Sequence, residues 1–350
     1  MPFFCDAPLG QARVSIFIPT YANHSLLQEC LISCIQQDFS DIEVVVLDNG
    51  AQNPDTCARR LVKSLSDPRI KYLPNYSNIG SQNNFRQALY YAKRSRSFIC
   101  IPADVFLTSD AVSTMVNALQ INEDVSIVFG RTISRNAGIE HLNSYASDHD
   151  LPLSWPYKMT GVINTSVPIK WFFSSHNISS EWSHFSFIGS LIDSSLIRAL
   201  DGLCLPYSDH GVEIYMSLLI LLYSQKLFIL DKPVNIHYTS AQRFGSAIRP
   251  PSNYTRIEPL HAQYDFLNKY AMMILRCNLS TLNLRVHLLQ KCLYTILFYS
   301  GNSFIPCSIA FRLAMEILFE IIFFTIDNVR HYFTTMVTFL VFNLRSQPRR

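Results

Sequence analysis

Two apolar runs near the start of the chain, Val14-Ser15-Ile16-Phe17-Ile18-Pro19-Thr20 and Ile42-Glu43-Val44-Val45-Val46-Leu47, are short, nearly continuous and rich in β-branched residues. Such runs predict strands covered on both faces of a parallel sheet. Between them Leu26, Leu27, Cys30, Leu31, Cys34 and Ile35 recur at spacings of one, three and four, which lays an apolar stripe on one helix face. Strand, helix and strand within about 40 residues make a βαβ unit. Ligands of open α/β sheets bind beyond the carboxyl ends of the strands. The polar residues at those ends are Thr20, Tyr21, Asn23, Asp48 and Asn49.

The alternation continues with a helix near Asp55–Leu65, a strand over Arg69–Leu73, a polar loop Asn75–Ser81 and a helix over Gln82–Lys93. A fourth strand, Ser97–Ile101, closes on Pro102-Ala103-Asp104-Val105, and a helix over Ser109–Leu119 precedes the strand Ser126–Gly130. From Arg131 to His184 the pattern breaks into short aromatic, Ser- and Asn-rich pieces, a composition that predicts long loops over a site. Order returns at Phe187–Asp193, then in an apolar helix over Val212–Tyr223 and a strand Leu227–Leu230 that exits through Asp231-Lys232-Pro233. Past about Pro259 the chain is helical in pattern.

Composition narrows the picture. Charged residues make up 16% of the 350 and aromatics 13%, enough apolar material for a sizeable core. A net charge of +3 without a dense basic cluster argues against nucleic acid as a partner. The nine cysteines are scattered and include no C-x-x-C pair, so they read as buried thiols of a reducing, cytoplasmic compartment. Met1 to Arg13 carries no signal-peptide pattern, and the uncharged run Cys292–Phe311 is broken by Gly301-Asn302-Ser303 and Pro306. In Ala310–Asp327 the charges Arg312, Glu316 and Glu320 form one narrow stripe on an otherwise apolar helix. That face packs in the protein, forms a homodimer or lies on a membrane surface.

Taken in order, Val14–Asn23, the helix Glu29–Gln37, the strand Asp41–Gly50, Asn78-Ile79-Gly80 with Asn84, Ile101–Asp110 and Pro206–His210 resemble the family 2 glycosyltransferases. The resemblance implies an α/β architecture, the GT-A fold: a Rossmann-like, mixed but mostly parallel sheet flanked by helices. Residues 1–257 would form that domain and 258–350 a C-terminal helical extension. The implied reaction is inverting transfer of a sugar from a nucleotide-diphosphate donor, UDP-type favoured, to a glycan, lipid-linked or cell-surface polymer acceptor. It would take place in the cytoplasm, either free or at the cytoplasmic face of a membrane.

Within that resemblance, Thr20, Tyr21, Asn23, Asp48, Asn78, Gly80, Asn84, Asp104 and Arg243 would hold the donor. Asp48 would read the base and ribose, although Asp-Asn-Gly is turn chemistry in any case. Asp209 would take the acceptor's proton, with His210 and Glu213, the latter four residues on, as the rivals. Asp104 and His237 would be the ligands of Mn²⁺ or Mg²⁺. The family's metal motif ends in an acid where this chain has Val105, and valine offers no oxygen. Either Asp104 holds the ion together with diphosphate oxygens, or cationic side chains such as Arg243 replace it. The same substitution motivates an alternative, a degenerate homologue that binds nucleotide sugar or glycan without turnover.

Overall fold

The computed structural model describes residues 12–21, 24–50, 57–136, 160–169, 187–200 and 212–239, with five isolated helical positions further on (285, 315, 317, 318 and 321). The chain divides into two compact units, Met1–Phe172 with Ser179–Pro250 and Phe173–Ile178 with Pro251–Arg350. The first carries the elements below.

Strands β1 (Val14–Thr20) and β2 (Ile42–Asp48) are buried at every position, as the two apolar runs predict. Helix α1 (His24–Ile35) joins them and buries Leu27, Cys30, Leu31 and Cys34, the predicted stripe. Helix α2 (Cys57–Leu65), strand β3 (Ile70–Pro74), helix α3 (Ser81–Ala92) and strand β4 (Ser97–Cys100) follow. Then come β5 (Val105–Leu107), α4 (Ala111–Ile121), β6 (Ile127–Asn136), β7 (Gly161–Asn164), β8 (Leu191–Asp193), α5 (Ser194–Ala199), α6 (Val212–Tyr223) and β9 (Lys226–Thr239). The strand order is β3-β2-β1-β4-β8-β6-β9-β5, with β7 beside the first part of β9. Strands β1, β2, β3, β4, β6 and β9 run one way and β5, β7 and β8 run against them. The sheet is therefore mixed and mostly parallel.

The order reverses between β1 and β4, because the chain moves outward to β2 and β3 and then returns to the other side of β1. Such a switch opens a crevice at the carboxyl ends of the strands. The far half of the sheet is bent. Three strands separate β4 from β5, and four intervals at about 4.8 Å would place them about 19 Å apart in a flat sheet. Yet only Ile101 to Asp104 joins them, and Val105 N bonds back to Pro102 O in a turn. The β6–β9 ribbon must curl toward β4. It does so at register shifts around Arg131, opposite Pro233, where proline's missing donor is tolerated because neither β5 nor β7 pairs there. Gly130 sits so close to Val234 that a Cβ would collide with it.

Several expectations need correction here. The strand after Ser126 does not stop at Gly130 but runs to Asn136, and Asp231-Lys232-Pro233 is the bend of one long strand rather than its exit. Val105 begins a strand, and β7 lies inside a stretch read as loop. Asp110 holds the N-cap position of α4 but makes no capping bond, because its carboxylate takes Thr108 Oγ1 and Lys232 Nζ. Gln37 supplies the acceptor for Val112 N instead, while its amide nitrogen donates to Thr108 O and Ser33 O.

Candidate active site

The parallel register Thr20↔Asp48↔Pro74 lines up the ends of β1, β2 and β3 at one edge. Asparagines stitch these ends together. Asn49 N donates to Thr20 O (2.9 Å), and Asn75 N donates to Asp48 O (2.8 Å). Asn84 Nδ2 donates to Leu47 O (2.9 Å), and Asn75 Nδ2 donates to Asn84 Oδ1 (3.2 Å). Asn49 Nδ2 donates to Asn78 Oδ1 (2.7 Å), while Asn49 Oδ1 accepts from Ile79 N (2.8 Å). Asn78 Oδ1 also accepts from Gly80 N (2.9 Å), and Gly80, at φ +81°, turns the chain into α3.

Asp48 is 1% exposed. Its Oδ1 accepts from Gly50 N (2.8 Å) and its Oδ2 from the Tyr72 hydroxyl (2.7 Å). A carboxylate has about four acceptor sites, so lone pairs remain for an imide N–H or a ribose hydroxyl. Thr20 is buried beside it and Tyr21 is 39% exposed. Asn84, expected to touch the donor, is buried behind the edge with its amide spent on Leu47 and Asn75, so it acts as scaffold.

On the other side of the switch, Asp104 follows β4. The antiparallel pair Val105↔His237 brings β9 alongside, and His237 Nε2 stands 3.6 Å from Asp104 Oδ2. His237 is 1% exposed and the Asp104 side chain 16%. Helix α1 backs this turn, with Leu107 N donating to Ser33 Oγ. Burial, then the neighbouring Cys34 thiol and the Asp104 charge, push the Cys30 thiol well above its ordinary pKa, so it stays protonated. Cys30, Cys34 and Cys100 are free and buried.

A divalent cation fits this pair in part. A carboxylate oxygen and an imidazole nitrogen 3.6 Å apart suit neighbouring positions around one ion, but Val105 is buried in β5 and supplies no donor. Among the described residues no three His, Cys, Asp or Glu side chains cluster for a metal. Diphosphate oxygens and water would complete the shell.

Asn23, Asp209 and Arg243 lie outside the described residues, and of Glu213 only the backbone, near the start of α6, is described. Asn75 and Tyr72, which hold Asp48 and Asn84 in place, were not read from the sequence. The run Asn75, Asn78, Asn84 just past a strand was the available signal.

Residues 15–177 match the model of Glycosyl transferase family 2. Over these residues the chain is similar to the family 2 glycosyltransferases. An N-acetylglucosaminyltransferase of Bradyrhizobium elkanii is 29% identical over 128 residues, 35% of this chain and 68% of the relative. The GalNAc(5)-diNAcBac-PP-undecaprenol beta-1,3-glucosyltransferase of Campylobacter jejuni is 31% identical over 129 residues, 36% of this chain and only 40% of the relative. The chain is also similar in structure to the crystal structure of S. aureus TarS 1–349, with a TM-score of 0.55 at 15% identity, covering 83% of this chain and 74% of that one. That likeness establishes the GT-A fold. No helix among the described residues is long and apolar enough to cross a membrane.

Proposed function

We propose that the chain transfers a sugar from a nucleoside-diphosphate donor, UDP-type, to a hydroxyl of a glycan, lipid-linked or cell-surface polymer acceptor, with inversion at the anomeric carbon. The observation that supports this is the placement of Asp48 at the end of β2 and of the Asp104–His237 pair beyond β4, on either side of the strand-order switch. The relatives named as N-acetylglucosaminyl- and glucosyltransferases support a hexose or hexosamine donor.

In this reading Thr20, Tyr21 and Asp48 hold the nucleoside, while Asp104 anchors the ribose–diphosphate end. The acceptor oxygen attacks the anomeric carbon from the face opposite the diphosphate. As that bond forms, the sugar–phosphate bond breaks, and the acceptor's proton passes to Asp209, with Glu213 as the rival base. Asp104 and His237 would hold Mn²⁺ or Mg²⁺, which supplies charge neutralisation to the departing diphosphate. Arg243 would add to it.

The test is UDP release from a panel of UDP-hexoses and UDP-hexosamines, with candidate acceptors, by the wild type and two variants. Asp209→Asn is expected to abolish transfer while UDP still binds, and Asp104→Asn to slow it about 10²–10³-fold. Full turnover by Asp209→Asn removes that base. Tight UDP binding with no turnover on any donor leaves a nucleotide-binding module.

A further inference from the structure

Tyr76 is 99% exposed, far more than any other large hydrophobic side chain described except Ile121 at 80%. Its loop is not loose. Asn75 before it is anchored to Asp48 O and Asn84, and Asn78 after it is anchored to Asn49. A large ring is therefore held out into solvent from a clamped loop, directly at the carboxyl edge where ligands of this sheet type bind. Ring exposure of this extent forfeits burial that a turn residue of any polar type would not need.

The topology says which part of a ligand it meets. Tyr21 follows β1 and Tyr76 follows β3, while β2, ending in Asp48, lies between them. Two strand intervals set these flanking ends about 10 Å apart. One flat ring placed between two aromatic side chains at centroid separations of about 5 Å fills such a gap. Asp104, at the diphosphate end, lies beyond β1 on the other side of the switch, so the β3 side of the crevice belongs to the base.

We propose, on the basis of the nucleotide-donor reading above, that Tyr76 is the outer aromatic wall of the donor pocket, stacking on the nucleobase across from Tyr21 and above the Asp48 strand end. It adds affinity for a planar base, and its hydroxyl is dispensable.

Calorimetric titration of the full chain with UDP tests this. Tyr76→Ala is expected to weaken UDP binding about tenfold, within the range of one base–aromatic stack. Tyr76→Phe and Tyr76→Trp should keep wild-type affinity within about twofold. All three should share the wild-type thermal midpoint, since the side chain is exposed. Unchanged affinity in Tyr76→Ala, or a loss in Tyr76→Phe as large as in Tyr76→Ala, overturns the assignment. A wild-type chain that binds neither UDP, GDP nor ADP overturns the donor reading itself.

Discussion

The sheet carries a buried polar network at each of its two edges, and the two are built differently. At the amino edge, Ser15 on β1 donates to Glu43 on β2, Ser95 Oγ donates to Ser15 Oγ at 2.6 Å, and Lys71 on β3 closes the set with a 3.1 Å ion pair to Glu43. At the carboxyl edge, Asn49, Asn75, Asn78 and Asn84 bind strand-end carbonyls and one another around Asp48. The first network ties side chains of neighbouring strands to each other and ends in a charge pair. The second fixes main-chain groups of loops. An ion pair across strands with its carboxylate buried penalises any slip of register, because a shift strands a charge. Amides bonded to carbonyls hold loop geometry without adding charge beside Asp48.

Removing a member from each edge should separate the two roles. Glu43→Ala takes the acceptor from the fully buried Ser15 hydroxyl and a charge partner from Lys71, and should cost about 3 kcal/mol of stability. Measured per folded molecule, its UDP affinity should equal the wild type. Asn84→Ala should cost less, about 2 kcal/mol, as Leu47 O and the Asn75 amide lose a buried partner. It should also weaken UDP binding about fivefold, because the Asn75–Asn78 loop loses one of its anchors. Urea midpoints and calorimetric titration of both variants read the contrast. Equal loss of UDP affinity in the two would erase it.

The same division explains what the sequence revealed. In β1, α1, β2 and β4 every link is local: one apolar run makes one strand, and the helix stripe is written at spacings of three and four. The positions of Thr20, Asp48 and Asp104 were legible because residues that end or follow a parallel strand lie on its carboxyl side, where ligands of such sheets bind. The far half was not legible in this way. Whether β9 ends at Leu230 or runs on through Pro233 depends on which partner lies beside it, and β6 accepts it only after a register shift at Gly130–Arg131. The three-residue β5 has no pattern of its own and exists because His237 and Asn235 stand opposite it. Val105, read as a missing ligand, is for the same reason a strand residue. Tyr72 and Asn75 escaped notice because bonding to Asp48 and Asn84 leaves no periodic trace.

The smallest effect belongs to the pair that fastens the bent half, Lys232 on β9 to Asp110 after β5, at 2.6 Å. The Lys232 ammonium, more than the Thr108 hydroxyl, holds the Asp110 carboxyl below its ordinary pKa of 3.8 against the opposing effect of burial. A carboxyl whose pKa is depressed on folding contributes stability that is fully present above the unfolded value and is lost as pH falls through the folded one. The side chains are 42% and 47% exposed, so solvent screening keeps the contribution near 0.5 kcal/mol, at about the middle of the range for exposed pairs. Lys232→Ala should therefore be about 0.5 kcal/mol less stable than the wild type at pH 7. The gap should stay level through neutral pH, narrow below pH 3.8 and close below the folded pKa of Asp110. Urea denaturation of both proteins across that range reads it, and about 1 M salt should shrink the gap at every pH. A gap that persists in acid would mean that Lys232 holds the bend through its aliphatic stem packed on the ribbon rather than through its charge.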